Sequence, residues 1–229
     1  MSVTTEYAPR VAFLCGRGGG DFVALTKARD RGLVRFETVA FFTTHRDSTA
    51  LRLHSEQPSR VTPTVLENIR SDRESAFRRI GRELEAARPD LVFLCGFTFL
   101  LPPFILKGRE ERVINTHHAT LPEHPGLFTK EQLVAAGEPE LGATVHIVDE
   151  GVDTGKVLAA ARFPNFGMES FDRVLRYYRF VQDVLIVQVM RDLTDRKNDG
   201  RVVEYHDIRF EPSVEIRIIE SIKGDHGFA

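Results

Sequence analysis

"PDLVFLCG", residues 89–96, holds five apolar residues between a Pro-Asp pair and a glycine. A strand with one wet face alternates apolar and polar side chains. An unbroken apolar run suits a strand covered on both faces, as in a parallel sheet. The same design stands near the start in "RVAFLCG", residues 10–16. After this first run a string of glycines leads into "DFVALTKARD", a helix that should end near Gly32. Before the second run, "SDRESAFRRIGRELEAAR" puts Phe77, Ile80, Leu84 and Ala87 on one face. Ser71 and Glu74 there have capping-box spacing, and Pro89 is the stop. "FETVAFFTT", 36–44, reads as another strand, whereas Pro63 weakens "RVTPTVLEN" as a central one. Strands alternating with helices predict an α/β fold: an open, mostly parallel, twisted sheet with helices on both faces.

Further along, "RVINTHH", 112–118, is a strand and "LFTKEQLVAAGE", 127–138, a short helix. "LGATVHIVDEGVDTGKVLAAARFP", 141–164, reads as strand, Gly/Asp-rich turn, strand. A long helix should run from about Glu169 to Leu193. In the tail, Val214, Ile216 and Ile218 alternate with Glu215 and Arg217, the pattern of a half-buried strand. A short C-terminal β-hairpin outside the main sheet is expected there.

Hydrophobic residues make up 42% of the 229 and charged residues 28%, enough to bury a sizeable core. A formal charge of -2 argues against binding nucleic acid by general electrostatics. No apolar run nears the roughly 20 residues of a membrane helix. The opening "MSVTTEYAPR" has no apolar signal region, so a cytoplasmic location is expected. Cys15 and Cys95 each end an apolar run and read as small buried hydrophobes.

"CGRGGGDF" invites a nucleotide reading that its spacing refuses. A dinucleotide fingerprint or a P-loop begun at Gly16 needs glycine at 21, where Asp21 stands. Gly18, Gly19 and Gly20 remain candidates for cradling part of a substrate with backbone N–H groups. Asp21 would repel an anion there unless it caps the helix.

In "VINTHHATLP", 113–122, strand parity puts Asn115 and His117 on one face and Thr116 and His118 on the other. An amide donor beside an imidazole can hold a carbonyl oxygen as it gains negative charge, and the imidazole can move a proton. The pair lacks a carboxylate, and the loop "DEGVDTG", 149–155, offers Asp153. Taken alone, Asn-x-His is more often a satisfied polar pair, and an acidic turn a solvated one.

Together, "NTHHATLP" and "GATVHIVDEGVDTG" resemble the folate-dependent formyltransferase family. Its pattern of Asn-x-His, Leu-Pro, Thr-Val-His-x-Val and Asp-x-Gly is met by Asn115, His117, Leu121, Pro122, Thr144, Val145, His146, Val148, Asp153 and Gly155. The resemblance covers roughly residues 10–190. It implies a catalytic domain over 1–198 and a hairpin extension over 199–229. It also implies transfer of a formyl group from 10-formyltetrahydrofolate to a primary amine of a small metabolite, through a tetrahedral intermediate. Asn115, His117 and Asp153 would be catalytic. Phe97, Phe99, Leu100, Leu101, Val148, Asp149 and Val152 would line the folate's pterin site. His146 would support the site rather than touch the substrate.

The family usually has proline and serine where His118 and Ala119 stand, and parity predicts that His118 packs away from the site. "RGGGD", 17–21, replaces the hydroxyl and amide donors of the ribonucleotide enzyme's phosphate loop with glycine and an acid. An amino sugar, amino acid or other specialised amine is therefore the leading acceptor. Glycinamide ribonucleotide, or water in a 10-formyltetrahydrofolate hydrolase, is the alternative. The expected partner is the small-molecule amine, with no nucleic acid or membrane, and a homodimer through the hairpin. A metal hydrolase using His117, His118, His124 and Asp153 conflicts with parity, so no metal is expected.

Overall fold

The computed structural model describes residues 8–127, 130–194 and 201–228. Strands β1 (Arg10–Cys15), β2 (Glu37–Thr43), β3 (Thr64–Val65), β4 (Leu91–Cys95) and β5 (Val113–His117) pair in parallel. Strands β6 (Glu140–Ile147), β7 (Val157–Pro164), β8 (Arg201–Tyr205) and β9 (Ile208–Glu215) pair antiparallel. Among the described residues they form one sheet in the order β3-β2-β1-β4-β5-β6-β7-β9-β8. The two apolar runs, β1 and β4, are neighbours at its centre, where every residue from Val11 to Cys15 and from Leu91 to Cys95 is buried. This is the open α/β sheet that unbroken apolar strands predict.

Helices α1 (Gly20–Asp30), α2 (Thr49–Glu56), α3 (Arg73–Ala87), α4 (Pro103–Leu106), α5 (Lys130–Ala135), α6 (Phe171–Thr194) and α7 (Ile216–Ile222) cover the two faces. Val11, Phe13 and Cys15 pack in one core with α1 and α6. Ala12 and Leu14 pack in the other, with Phe77, Ile80 and Leu84 of α3 and Ile105 of α4. Cys15 and Cys95 are register partners, fully buried and not bonded to each other, and burial pushes the Cys95 thiol up.

Two local readings are corrected. The cap of α3 is Asp72, whose carboxylate accepts the Ser75 N–H at 3.1 Å. Ser71 donates to the Asn68 carbonyl instead, and Glu74 pairs with Arg78. Two residues in a row can compete for one cap, and the chain's entry angle selects between them.

The larger correction concerns the tail. The hairpin β8–β9 forms, but inside the sheet, because β9 pairs with β7. The strand stops at Glu215, so Ile216 and Ile218 lie in α7, where Ile218, Ile219 and Ile222 make the buried face. Alternation over five residues fits strand and helix alike. The choice falls to Glu215, which is fully buried against Arg191 of α6 at 2.8 Å. Gln188 of the same helix accepts the Glu215 N–H at 2.7 Å, and Arg191 also donates to the Leu33 carbonyl. The expected domain boundary after residue 198 lies outside the described residues.

Removing one partner of a buried ion pair leaves the other charged and dry, a loss of about 3–5 kcal/mol. Glu215→Leu should therefore lower stability by about 3 kcal/mol in denaturant unfolding, and adding Arg191→Met should recover part of it.

Candidate active site

A cleft of about 390 Å³ opens where β4 and β5 end. One wall is the segment after β4, with Phe97, Phe99, Leu100 and Leu101. The facing wall is the loop after β6, with Val148, Asp149 and Val152. All seven residues expected at a pterin site therefore line one space, whose polar end carries Asn115, His117, His146 and Asp153. The reversal of direction between β5 and β6 makes this possible. Antiparallel pairing sets Asn115 opposite His146 and His117 opposite Thr144, and returns the 148–155 loop to the tip of β5. Thr144 fixes the chain beyond β5, accepting the Leu121 N–H at 3.2 Å and donating to the Ala119 carbonyl at 2.9 Å.

The polar groups hold each other in defined states. His146 donates from Nδ1 to the Ile147 carbonyl at 2.8 Å, which leaves Nε2 to accept from Asn115 Nδ2 at 3.2 Å. Burial holds this imidazole below its usual range, in keeping with a neutral ring. The contact fixes which end of the Asn115 amide is the donor and leaves its second N–H for a ligand. His117 donates from Nε2 to the His124 carbonyl at 2.8 Å, and its Nδ1 lies 3.6 Å from Asp153 Oδ2. Both ring nitrogens thus face oxygen atoms. The same Asp153 oxygen accepts the Gly126 N–H at 2.9 Å, while its Oδ1 is 3.5 Å from His146 Nε2. Asp153 reaches this position with φ 53, a left-handed conformation that aspartate tolerates better than most residues. Its loop is tied by Asp149, whose carboxylate accepts from Gly151 N–H and the Thr154 hydroxyl.

His118 does not pack away from the site. The strand ends at His117, so alternation no longer governs the next residue, and His118 lines the same cleft. Its ring lies 5.6 Å from that of His117, 29° from parallel. The parity objection to a metal site falls with it. Even so, the described residues contain no group of three or more His, Cys, Asp or Glu arranged to hold a metal ion.

Gly18, Gly19 and Gly20 are not brought to this cleft. Gly19 turns the chain into α1 at φ 60, and a Cβ there would come within 2.5 Å of the Ala50 side chain. Asp21 does not cap the helix. Its carboxyl turns inward, where burial and nearby Asp183 push it up to about 7 against the opposing pull of Thr116 and Lys130. The Thr116 hydroxyl is buried beside it without a well-formed hydrogen bond among the described residues.

A family model described as "Formyl transferase" matches residues 9–190. The chain belongs to the formyl transferase family. It is 29% identical over 164 residues to the phosphoribosylglycinamide formyltransferase of Escherichia coli K12, covering 72% of this chain and 77% of that one. It is 45% identical over 95 residues to the trifunctional purine biosynthetic protein adenosine-3 of Drosophila melanogaster, 41% of this chain but 7% of that protein. A solved phosphoribosylglycinamide formyltransferase from Streptococcus pneumoniae is similar at 28% identity and a TM-score of 0.67, over 81% of this chain and 98% of its own. Membership makes this chain a formyltransferase-type enzyme. None of its helices among the described residues is long and apolar enough to cross a membrane.

Two measurements check the electrostatics. His146→Leu should keep the fold yet lower kcat roughly tenfold to a hundredfold, by freeing the Asn115 amide to rotate. Asp21 binds a proton in the folded chain that the unfolded chain has already lost between pH 3.8 and about 7. It therefore removes stability as pH rises through that window. Asp21→Asn should raise Tm above pH 7 and change it little below pH 4, read by thermal unfolding across that range.

Proposed function

We propose that this protein transfers a formyl group from 10-formyltetrahydrofolate to a primary amine. The observation that carries the reading is the convergence of Asn115, His117 and Asp153 at the polar end of an otherwise apolar cleft. The fit to a folate rests on the cleft's chemistry. Phe97, Leu101 and Val148 offer apolar walls to a flat ring, and the reactive end of such a ligand would meet the polar trio. The bound donor supplies the formyl carbon that the amine attacks.

The chain's own groups handle charge and protons. Asn115, oriented by His146, donates its second N–H to the formyl oxygen as that oxygen gains negative charge. His117 stabilises the same charge as a cation, exchanging the His124 carbonyl for the formyl oxygen at Nε2. Asp153 balances the imidazolium and, through water, takes the proton that the attacking nitrogen loses; that proton goes on to the folate nitrogen as its bond to the formyl carbon breaks, releasing tetrahydrofolate. The apolar walls keep bulk water away from the acyl group.

The named relatives make glycinamide ribonucleotide the first acceptor to test. A second reading, an amine without a phosphate, is favoured by Asp21 in the glycine loop. The loop offers glycine and an acid in place of hydroxyl and amide donors for a phosphate, and Arg17 is engaged with Asp47. The outer strand β8 is the sheet's edge, and the homodimer proposed through the hairpin would pair there.

Tetrahydrofolate release, followed by absorbance, decides among these. Release with glycinamide ribonucleotide alone supports the first reading, and release with an amino sugar or amino acid supports the second. Release without any amine means hydrolysis. His117→Ala and Asp153→Asn should each cut turnover by about 100-fold or more while far-ultraviolet circular dichroism stays native. A folded Asp153→Asn variant with near-normal turnover overturns the assignment.

A further inference from the structure

At the amino ends of β4 and β5, the opposite end of these strands from the catalytic cleft, an open groove of about 1050 Å³ lies between α3 and the α4–β5 connection. Six cations line it: Arg78, Arg82 and Arg88 from α3 and its cap, and Lys107, Arg109 and Arg112 from the connection. Two carboxylates accompany them, Glu85 and Asp90, and Asp90 already accepts the Arg10 backbone N–H at 2.7 Å. Arg78 is paired with Glu74, and Arg109 donates to the Ile105 carbonyl. The side chains of Arg82, Arg88, Lys107 and Arg112 make no hydrogen bond or ion pair among the described residues, although the Glu110 carboxylate lies near Lys107 and Arg112. Capping α3 does not explain these cations, because the Ala87 and Arg88 carbonyls at its end already accept from Arg10. Arg88 itself stands at the left-handed C-cap, φ 46, where glycine is the less strained residue.

The two banks of cations line one concavity rather than a strip. An acidic peptide spreads its carboxylates along an extended chain, whereas linked phosphates gather several charges within a few bonds. Five of the six cations are arginines, whose planar forks hold phosphate oxygens in pairs. At Gly81, between the banks, there is no side chain, and a Cβ would come within 3.3 Å of Ile105 and 3.4 Å of Phe104. The Phe104 ring is 52% exposed in the same groove and offers a flat apolar face to a base. The formal charge of the chain is -2, so a long nucleic acid running beyond the groove would meet a molecule that is acidic overall. Compact, multiply charged anions fit this surface better than polymers.

We propose that this groove binds a chain of linked phosphates, as carried by a nucleoside triphosphate. Arg82, Arg88, Lys107 and Arg112 hold the phosphates, and the base lies against Phe104. The inference goes beyond formyl transfer and depends on neither the donor nor the acceptor of the cleft. Groove and cleft share no lining residue, so both are open to ligands at the same time.

Calorimetric titration of the full chain tests this, with adenosine triphosphate and inorganic tripolyphosphate as probes at low and high salt. Both should bind saturably at one site, with affinity lower by about tenfold in high salt. Arg82→Glu/Arg112→Glu should abolish binding, and the milder Arg82→Gln/Arg112→Gln should weaken it, with native circular dichroism in both. The same reversal at two exposed arginines elsewhere, Arg52→Glu/Arg60→Glu, should leave binding unchanged. Phe104→Ala should weaken the nucleotide by about tenfold and spare tripolyphosphate. An equal effect on both probes removes the base and leaves the phosphate chain as the ligand. No saturable binding, binding kept in Arg82→Glu/Arg112→Glu, or equal loss in the two reversals overturns the proposal.

Discussion

The antiparallel pairing of β5 with β6 is the constraint on which the site depends. Strands β1 to β5 run parallel, and their carboxyl ends make a rim where ligands of open α/β sheets bind. A parallel sheet alone would place only loop residues beside Asn115 and His117. The reversal sets His146 in register with Asn115, so that one strand's histidine orients the other's amide. It also sends the following loop back across the tip of β5, which is how Asp153 reaches both histidines.

The site is economical in protons. Burial holds His146 below its usual range, and its donation from Nδ1 to Ile147 leaves Nε2 to accept from Asn115. His117 faces an acceptor at each nitrogen, which makes it a donor. Two imidazoles within one cleft therefore sit in different hydrogen-bond surroundings, His146 beside an amide donor and His117 between oxygen atoms. A carboxylate shared between them, and tied by the Gly126 N–H, keeps the arrangement from collapsing onto either ring.

Charge also divides the molecule's two sides. The face with α1 and α6 carries a half-buried carboxyl at Asp21 and an ion pair between Arg191 and Glu215. The face with α3 and α4 carries a surplus of exposed cations. A formal charge of -2 averages these and hides both, so composition could exclude a general nucleic-acid binder but could not reveal a local basic groove.

Apolar runs without alternation determined the central strands, and helical spacing of Phe77, Ile80 and Leu84 determined which face of α3 is buried. Asn115, His117 and Asp153, with the seven residues of the cleft walls, were named in the sequence by its resemblance to a known family, and the structure brings them to one space. The position of His118 was not legible, because parity holds only inside a strand and β5 ends one residue earlier. Nor was the tail: "VEIRIIESI" suits strand or helix, and in the structure the strand ends and α7 begins at Glu215, which is buried against Arg191. Local periodicity is written in the chain; which long-range partner satisfies a buried charge is decided when distant segments meet.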